Sequence, residues 1–365
     1  MTGKFASWSV FIIGALSLVT AAPAQGTLTG RLSAGGGHLE HPLGVAVEPA
    51  SGYGQGAVVL QVSLGDTTLW RLTYEGSATR FLEDVNLDNT RHAVGLEWTR
   101  HRSREDWTLS AGLQAGLRKQ IGVYTIYDHH EGYGYLAFKT YPHPRLMVRG
   151  WAGLRLRSYP DLPEESYLEP HLVLEAKRFS ENRTTLGASL RLGGKWFHDP
   201  VARNVWATGG TPVTSQIQLA VNGALGMSDR LGARASCDWR TGLRDFPYFV
   251  AEDIYDSPLL DRYARTGPAA LAAMKWLTPL LAWFEIGATW ATDDYGEIIF
   301  ADGSGGGSTR RDTIVEAFAT IERRFMSGGK GTVLRAGISW RDQESNMPGY
   351  TWSGPTASAG LEWRF

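Results

Sequence analysis

The sequence predicts an all-β fold: a closed, transmembrane, up-and-down barrel of about 16 antiparallel strands. Three observations predict it. Apolar and polar residues alternate along most of the chain, short and long connections follow each other in turn, and Trp and Tyr recur near segment ends. Because a period of two places successive side chains on opposite faces of a strand, one face is apolar and the other polar.

Composition excludes several other classes of protein. The 365 residues are 43% hydrophobic with a formal net charge of −1, and scattered Lys and Arg residues give no basic surface for nucleic acid. The single Cys237 excludes a disulfide framework and a multi-cysteine metal site. The mean hydropathy of −0.21 argues against membrane helices, each of which needs about 20 consecutive apolar residues. We expect no cofactor and no metal.

The first 25 residues are predicted to be a cleaved signal peptide. Lys4 provides a basic start, residues 8–19 form a short apolar run, and Ala22 and Ala24 have the spacing that signal peptidase needs. The protein is therefore expected to be exported, with residues 26–365 forming the barrel. Residues 26–37 fit a first strand, which leaves no room for a plug domain.

The alternating segments can be followed to the end of the chain. In the last one, Leu361, Trp363 and Phe365 lie on one face, while Glu362 and Arg364 lie on the other. The other clear segments are residues 109–117, 186–196, 217–227, 231–239, 282–290 and 334–340. Alternation is weakest at 132–141 and 263–277, so 14 or 18 strands also fit, and residues 269–276 alone resemble a helix.

The connections also indicate a barrel. Seven short connections alternate with eight longer ones, such as residues 119–131, 292–309 and 342–349. This arrangement is what a closed up-and-down barrel requires when both termini lie at the same rim.

A soluble β-sandwich would show the same period, with its apolar face buried. Two further features favour a membrane barrel. The polar face is rich in Gly, Ser, Gln and charged residues, as in a water-filled lumen, and aromatic residues lie where interfacial girdles are expected. These aromatic residues are Trp70, Tyr74, Trp98, Trp107, Trp196, Trp239, Trp276, Trp290, Trp340 and Trp363.

The polar frame contains a group of charged residues on three consecutive segments. They are Arg149, Arg155 and Arg157 on the first, Lys177 with Glu169 and Glu175 on the second, and Arg191 and Lys195 on the third. Two interpretations stay open. The cations favour the passage of anionic or polyhydroxylated solutes, or Arg and Glu pair across strands, for example Arg155 with Glu175, and only brace the wall.

The closing residues 361–365 resemble the C-terminal strand by which the barrel-assembly machinery recognises bacterial outer-membrane proteins. The resemblance implies that Phe365, with Trp363, is an assembly signal. It also implies a place in the Gram-negative outer membrane, in contact with its lipid and lipopolysaccharide. Residues 311–312, 322–325, 345–346 and 350 are similar to the ends of barrels in exopolysaccharide-secretion porins and surface-lipoprotein modifiers. This similarity implies a polysaccharide cargo and periplasmic polysaccharide-export components as partners.

These observations predict a porin-like channel for a polar or anionic solute, with a secreted polysaccharide as the narrower form. Two alternatives stay open: a non-conducting barrel that acts as a surface or assembly factor, and an outer-membrane hydrolase. The strand histidines argue against an enzyme, because His92 falls in the apolar frame and His171 has no nucleophile near it in sequence.

Overall fold

The computed structural model describes residues 27–39, 51–65, 68–83, 87–102, 107–163, 166–198, 213–244, 266–301, 307–327, 330–347 and 350–365. Within them, sixteen antiparallel strands form one closed barrel in which each strand pairs with its chain neighbours and the first pairs with the last. This confirms the predicted fold class and strand number.

The strands are β1 (Thr27–Leu39), β2 (Ser51–Leu64), β3 (Thr68–Phe81), β4 (Asn89–Arg102), β5 (Trp107–Gln120), β6 (His129–His143), β7 (Leu146–Ser158), β8 (Tyr167–Phe179), β9 (Thr184–Phe197), β10 (Val213–Gly226), β11 (Leu231–Arg244), β12 (Gly267–Leu277), β13 (Ala282–Ala301), β14 (Gly307–Ser327), β15 (Lys330–Ser345) and β16 (Trp352–Arg364).

In both segments with weak alternation, the described residues form strands. Residues 132–141 belong to β6, and residues 269–276 belong to β12, which pairs along its length with β11 and β13. Alanine has the highest intrinsic helix propensity, but that preference is worth less than about 1 kcal/mol per residue, and pairing with two neighbouring strands outweighs it.

Several strands extend beyond the alternating segments. β13 and β14 run through most of the connection predicted at residues 292–309, and β15 reaches Ser345. These ends lie at the rim that carries the longer connections, here called the long-loop rim. The opposite rim, which carries the tight turns and both ends of the barrel sequence, is called the short-turn rim. Backbone pairing continues past the apolar band, so the hydrophobic pattern ends before the strand does.

The wall has the reverse polarity of a soluble protein. Large apolar side chains such as Leu113 and Ile338 are widely exposed on one face, whereas Glu169, Lys195 and Asp312 on the other are fully buried. Exposed apolar surface on this scale requires a nonpolar surrounding. The outer face therefore contacts lipid.

Aromatic residues on the outer face form two belts. Trp70, Trp98, Trp107, Trp276 and Trp363 lie near the short-turn rim, and Trp196, Trp239, Trp290 and Trp340 lie nearer the long-loop rim. Trp70 and Trp98 are direct ladder neighbours. Two belts at opposite ends of an apolar band are typical of a barrel whose aromatic residues lie at both membrane interfaces.

Contacts across an intervening strand identify the concave face. Arg234 on β11 reaches Glu285 on β13, and Tyr135 on β6 reaches Glu97 on β4. Side chains two strands apart approach each other only where the wall curves toward them. The polar frame therefore faces the lumen.

The barrel closes through a glycine-rich first strand. Gly35 lies opposite Gly360, and the amide and carbonyl of Gly30 form two 3.0 Å hydrogen bonds with those of Phe365. The Phe365 ring occupies the space that a Cβ at Gly30 would need, and it lies 4.8 Å, between ring centroids, from the ring of Trp363. The final residue is thus part of the seam.

Side chains also pack together at the long-loop rim. Phe81 and Leu87 form a small buried cluster that includes Tyr124, which belongs to a 3-10 helix between β5 and β6. Beside it, the hydroxyl of Ser51 and the amide of Gly52 each donate a 2.7 Å hydrogen bond to Glu83 and hold the pKa of that carboxyl below its usual value.

The predicted signal peptide, residues 1–25, lies outside the described residues. No helix in the described ranges is long and apolar enough to span a bilayer. The described residues form no domain other than the barrel.

The lipid-facing assignment can be tested with two equally exposed leucines. Leu113 is 70% exposed in the middle of β5, and Leu82 is 75% exposed beyond the end of β3. We expect Leu113→Arg to lower the free energy of unfolding in lipid vesicles by about 2–4 kcal/mol, because the guanidinium would enter the bilayer. Leu82→Arg should change it by less than about 0.5 kcal/mol. Equal effects in urea titrations would contradict the assignment.

Candidate functional site: the charged lumen wall

The predicted charged residues lie together on the lumen side of three adjacent strands. Arg149, Arg155 and Arg157 alternate along the inner face of β7, and their neighbours are Glu169, Glu175 and Lys177 on β8 and Arg191 and Lys195 on β9. These residues all point into the lumen because side chains alternate between the two faces of a strand. They lie near one another because consecutive strands are neighbours in an up-and-down barrel.

The register decides which charges meet. Arg149 lies directly opposite Glu175, and Arg155 lies opposite Glu169. Arg149 donates from Nε to Glu175, and Arg155 Nη1 lies 3.1 Å from Glu169 Oε2. The pair given as the example of bracing, Arg155 with Glu175, is therefore wrong, because alternation fixes the face of a residue but not its partner across the ladder.

Glu131 on β6 is a central acceptor that the sequence analysis missed. Its carboxylate lies 2.7 Å from Arg157 Nη2, 3.6 Å from Arg155 Nε and 3.8 Å from Arg91 Nη2. In the sequence it falls at the end of a predicted connection, and no signal marks it as a strand residue. The pairing of β6 with β7 places Glu131 opposite Arg157, and Arg91 reaches it from β4 across β5.

The charges nearer the long-loop rim form a more sheltered network, in which Glu169 and Lys195 are fully buried and Arg155 is partly exposed. We call Glu131, Arg155, Arg157, Glu169 and Lys195 the upper cluster. The guanidinium carbon of Arg157 lies 5.6 Å and Lys195 Nζ lies 4.4 Å from the ring centroid of Tyr167. Tyr167 is itself buried with Tyr159 and Phe197. Because aromatic rings cover them, these cations stabilise the wall more than they meet solutes.

Charges nearer the short-turn rim have a different exposure. The side chain of Arg149 is 44% exposed while that of its partner Glu175 is 8% exposed. Lys177 Nζ also contacts Glu175, at 2.5 Å. The carboxylate therefore lies against the wall, and the two cations that bind it reach into the lumen.

The same arrangement recurs elsewhere around the barrel. Arg234 is 53% exposed and lies 2.6 Å from Glu285, which is 16% exposed. Arg335 bridges two more sheltered carboxylates, Glu322 at 2.6 Å and Glu362 at 3.0 Å. Each carboxylate is again covered by a longer cation.

Arg191 completes the wall. It is exposed on the inner face of β9, opposite Val173 and Gln218, and it forms no ion pair with the described residues. Its charge is therefore available to the lumen.

The two strand histidines lie in different environments. His92 lies on the outer face, where its Nδ1 is 2.9 Å from the Tyr74 hydroxyl. His171 lies on the lumen side of β8, where its Nε2 is 3.1 Å from the Tyr133 hydroxyl and its ring is parallel to that of Tyr133.

The upper cluster should contribute more to stability than the exposed pairs. Glu131→Gln removes the negative charge that neutralises Arg157 and leaves a sheltered cation beside a neutral amide, so we expect it to lower the free energy of unfolding by about 3 kcal/mol. Glu285→Gln removes the partner of an exposed arginine and should cost about 1 kcal/mol or less. Urea unfolding of the two variants in the same detergent measures the difference, and a larger loss for Glu285→Gln would contradict the division into buried and exposed groups.

Neither a protein-family model nor a curated protein matches the sequence. Solved structures match the fold. The chain is similar to CdiB from Acinetobacter baumannii, with a TM-score of 0.58 and 9% identity over 93% of this chain, and it spans 60% of that protein. It is also similar to OccAB3 from the same organism, with a TM-score of 0.54, 8% identity, and coverage of 94% of this chain and 100% of that one. The outer membrane protein opdK from Pseudomonas aeruginosa gives a TM-score of 0.50 at 10% identity, with coverage of 94% and 100%. The chain therefore has the closed β-barrel fold of these proteins.

Proposed function

We propose that the protein is a channel of the bacterial outer membrane that passes polar and anionic solutes. One observation carries the proposal: near the short-turn rim, the side chains of the lumen cations are more exposed than those of the carboxylates that bind them. The two interpretations of the charged residues are then compatible. The same ion pair can brace the barrel wall and present a cation that favours anionic solutes.

The excess of positive charge at the lumen surface follows from side-chain geometry. A guanidinium has five N–H donors, and a carboxylate partner uses only one or two of them. The remaining donors of Arg149, Arg234 and Arg335 face the lumen and can bind a passing carboxylate, phosphate or hydroxyl group. Cations at this position lower the electrostatic barrier for anions.

The dimensions and the outer face support a channel in a membrane. A barrel of sixteen strands is too wide for its own side chains to fill. The lipid-facing band, the two aromatic belts and the resemblance of residues 361–365 to outer-membrane proteins support that location, with lipid and lipopolysaccharide around the wall. In the usual orientation of such barrels the short-turn rim faces the periplasm.

Three exposed arginines test the selectivity. We expect a triple variant with Arg149→Gln, Arg234→Gln and Arg335→Gln to be less anion-selective, because the lumen loses its most exposed paired cations. The change is measured as a shift of the reversal potential in a salt gradient. Replacement of all three by Glu should reverse the preference.

The matched control is Arg323→Gln, which removes an arginine from the outer face of β14, where it packs on the ring of Phe325. This variant should leave the reversal potential unchanged. A conducting triple variant with the reversal potential of the parent protein would contradict the proposal.

A second candidate is a closed barrel that acts through its loops. It is favoured by the burial of the upper cluster, since Glu169 and Lys195 line the inner wall and yet are fully buried. Planar-bilayer recordings separate the two candidates, because a sealed lumen gives no conductance steps.

The narrower form of the proposal is the export of a polysaccharide. The similarity of residues 311–350 to the ends of exopolysaccharide-secretion barrels supports it. In that form, periplasmic polysaccharide-export components would bind at the short-turn rim.

We also propose that Phe365 and Trp363 are the signal read by the barrel-assembly machinery. The seam allows this role to be separated from packing. Gly30→Val displaces the Phe365 ring without a change at the C-terminus, whereas Phe365→Ala removes the ring itself. We expect Phe365→Ala to slow assembly into the membrane several-fold and Gly30→Val to have a smaller effect, both measured as the rate at which heat-resistant folded barrel appears in cells. Equal rates for the two variants would contradict a signal role.

A further inference from the structure

Three rings form a continuous group on the lumen wall beside the upper cluster. Tyr135 and Tyr133 on β6 have centroids 5.6 Å apart, and Tyr133 and His171 on β8 are also 5.6 Å apart with nearly parallel planes, at 6°. We call these three residues the ring belt. Each of them is half-buried, so part of every ring is accessible from the lumen.

Two glycines allow the rings to lie along the wall. Tyr135 covers Gly112 on β5, where a Cβ would overlap its ring. At Gly153 on β7, a Cβ would lie 2.6 Å from Nε2 of His171 and 2.7 Å from the hydroxyl of Tyr133. The rings therefore lie flat against the backbone of β5 and β7 and form part of the lumen wall.

Charged groups surround this surface. The guanidinium carbon of Arg155 lies 5.7 Å from the Tyr133 ring centroid. The Tyr135 hydroxyl donates to Glu97, which lies 2.5 Å from Arg71 Nη1. One residue row nearer the short-turn rim, Trp151 lies on the inner face of β7 with the Arg149 guanidinium carbon 5.5 Å from its ring centroid. Apolar ring faces and polar donors and acceptors thus alternate within one patch.

The need to fill the space above a glycine does not explain why the ring belt has polar atoms. On β14, Phe318 fills the space above Gly287 with a ring that has no polar atom and lies 2.6 Å from the position that a Cβ at Gly287 would take. The ring belt uses two hydroxyls and an imidazole at equivalent positions and places carboxylates and guanidinium groups at their edges. Such a mixture is what a ligand with an apolar face and a polar perimeter requires.

We propose that the ring belt is a carbohydrate-binding site in the lumen. A pyranose ring places its C–H face on Tyr133, Tyr135 or His171, while its equatorial hydroxyls bind the guanidinium of Arg155 and the carboxylate of Glu97. A flat aromatic solute would stack on the same rings but would make no hydrogen bonds with these edge groups. The inference rests on the proposed channel function and names the class of its solute: a sugar or a sugar polymer.

The test uses block of the ion current by maltohexaose, a neutral linear hexasaccharide, in planar bilayers. We expect concentration-dependent block of the parent channel, and at least about a tenfold weaker apparent affinity for Tyr133→Leu and for Tyr135→Leu, since each keeps the glycine covered but removes a ring face. Tyr133→Phe, which keeps the ring, should stay within about threefold of the parent. Phe318→Leu is the matched control, and maltohexaose should block it with the same apparent affinity as the parent. Polyethylene glycol of equal mass, which has no ring, should block every variant alike.

The outcomes separate this inference from the proposed function. A conducting channel that maltohexaose blocks no better than polyethylene glycol, or equally in the parent and both leucine variants, would overturn the ring belt and leave the anion channel intact. If the barrel does not conduct, calorimetric titration of the detergent-solubilised protein with maltohexaose decides. Binding lost in the leucine variants supports the site although the channel proposal has failed, and no binding to the parent overturns the site.

Discussion

Backbone pairing is the constraint on which the rest of the structure depends. A strand edge in contact with lipid would leave amide and carbonyl groups without partners, at a cost of several kcal/mol each. β1 must therefore find β16, which it does through a glycine-rich ladder that ends at Gly30 and Phe365. Once the sheet is closed, the period of two allows only one distribution of side chains: apolar residues outward and polar residues inward.

Closure also determines how charges are held inside. On the concave face, side chains two strands apart come within reach when a long side chain can cross a small residue, as Arg234 crosses Ala273 to meet Glu285, which itself lies opposite Lys275. Glycine has the same effect at Gly153, which makes space for Tyr133 and His171. Small residues on the inner face are thus as necessary to the site as the functional groups, because they let long side chains cross the strands between them.

The fold was predictable from sequence because face and topology are local properties, whereas the site depends on register. Alternation placed Arg149 and Arg155 correctly in the lumen frame, but whether Arg155 meets Glu169 or Glu175 is set by the pairing of β7 with β8, which no single strand encodes. The ring belt was missed for a different reason. In β6 the outer positions Gly132 and Gly134 carry no apolar side chain, while the inner positions carry tyrosines. The hydrophobic pattern is therefore reversed where the functional residues lie.

A net charge of −1 for the whole chain says little about the field inside the lumen. Arg and Lys side chains are longer than those of Glu and Asp, so in a wall of paired charges the cations end farther from the backbone than the anions. A lumen with equal numbers of each can therefore present a positive surface, as around Glu175. This advantage disappears where rings cover the cations, as Tyr167 covers Arg157 and Lys195. Position along the barrel axis, rather than residue type, thus decides whether an arginine braces the wall or meets a solute.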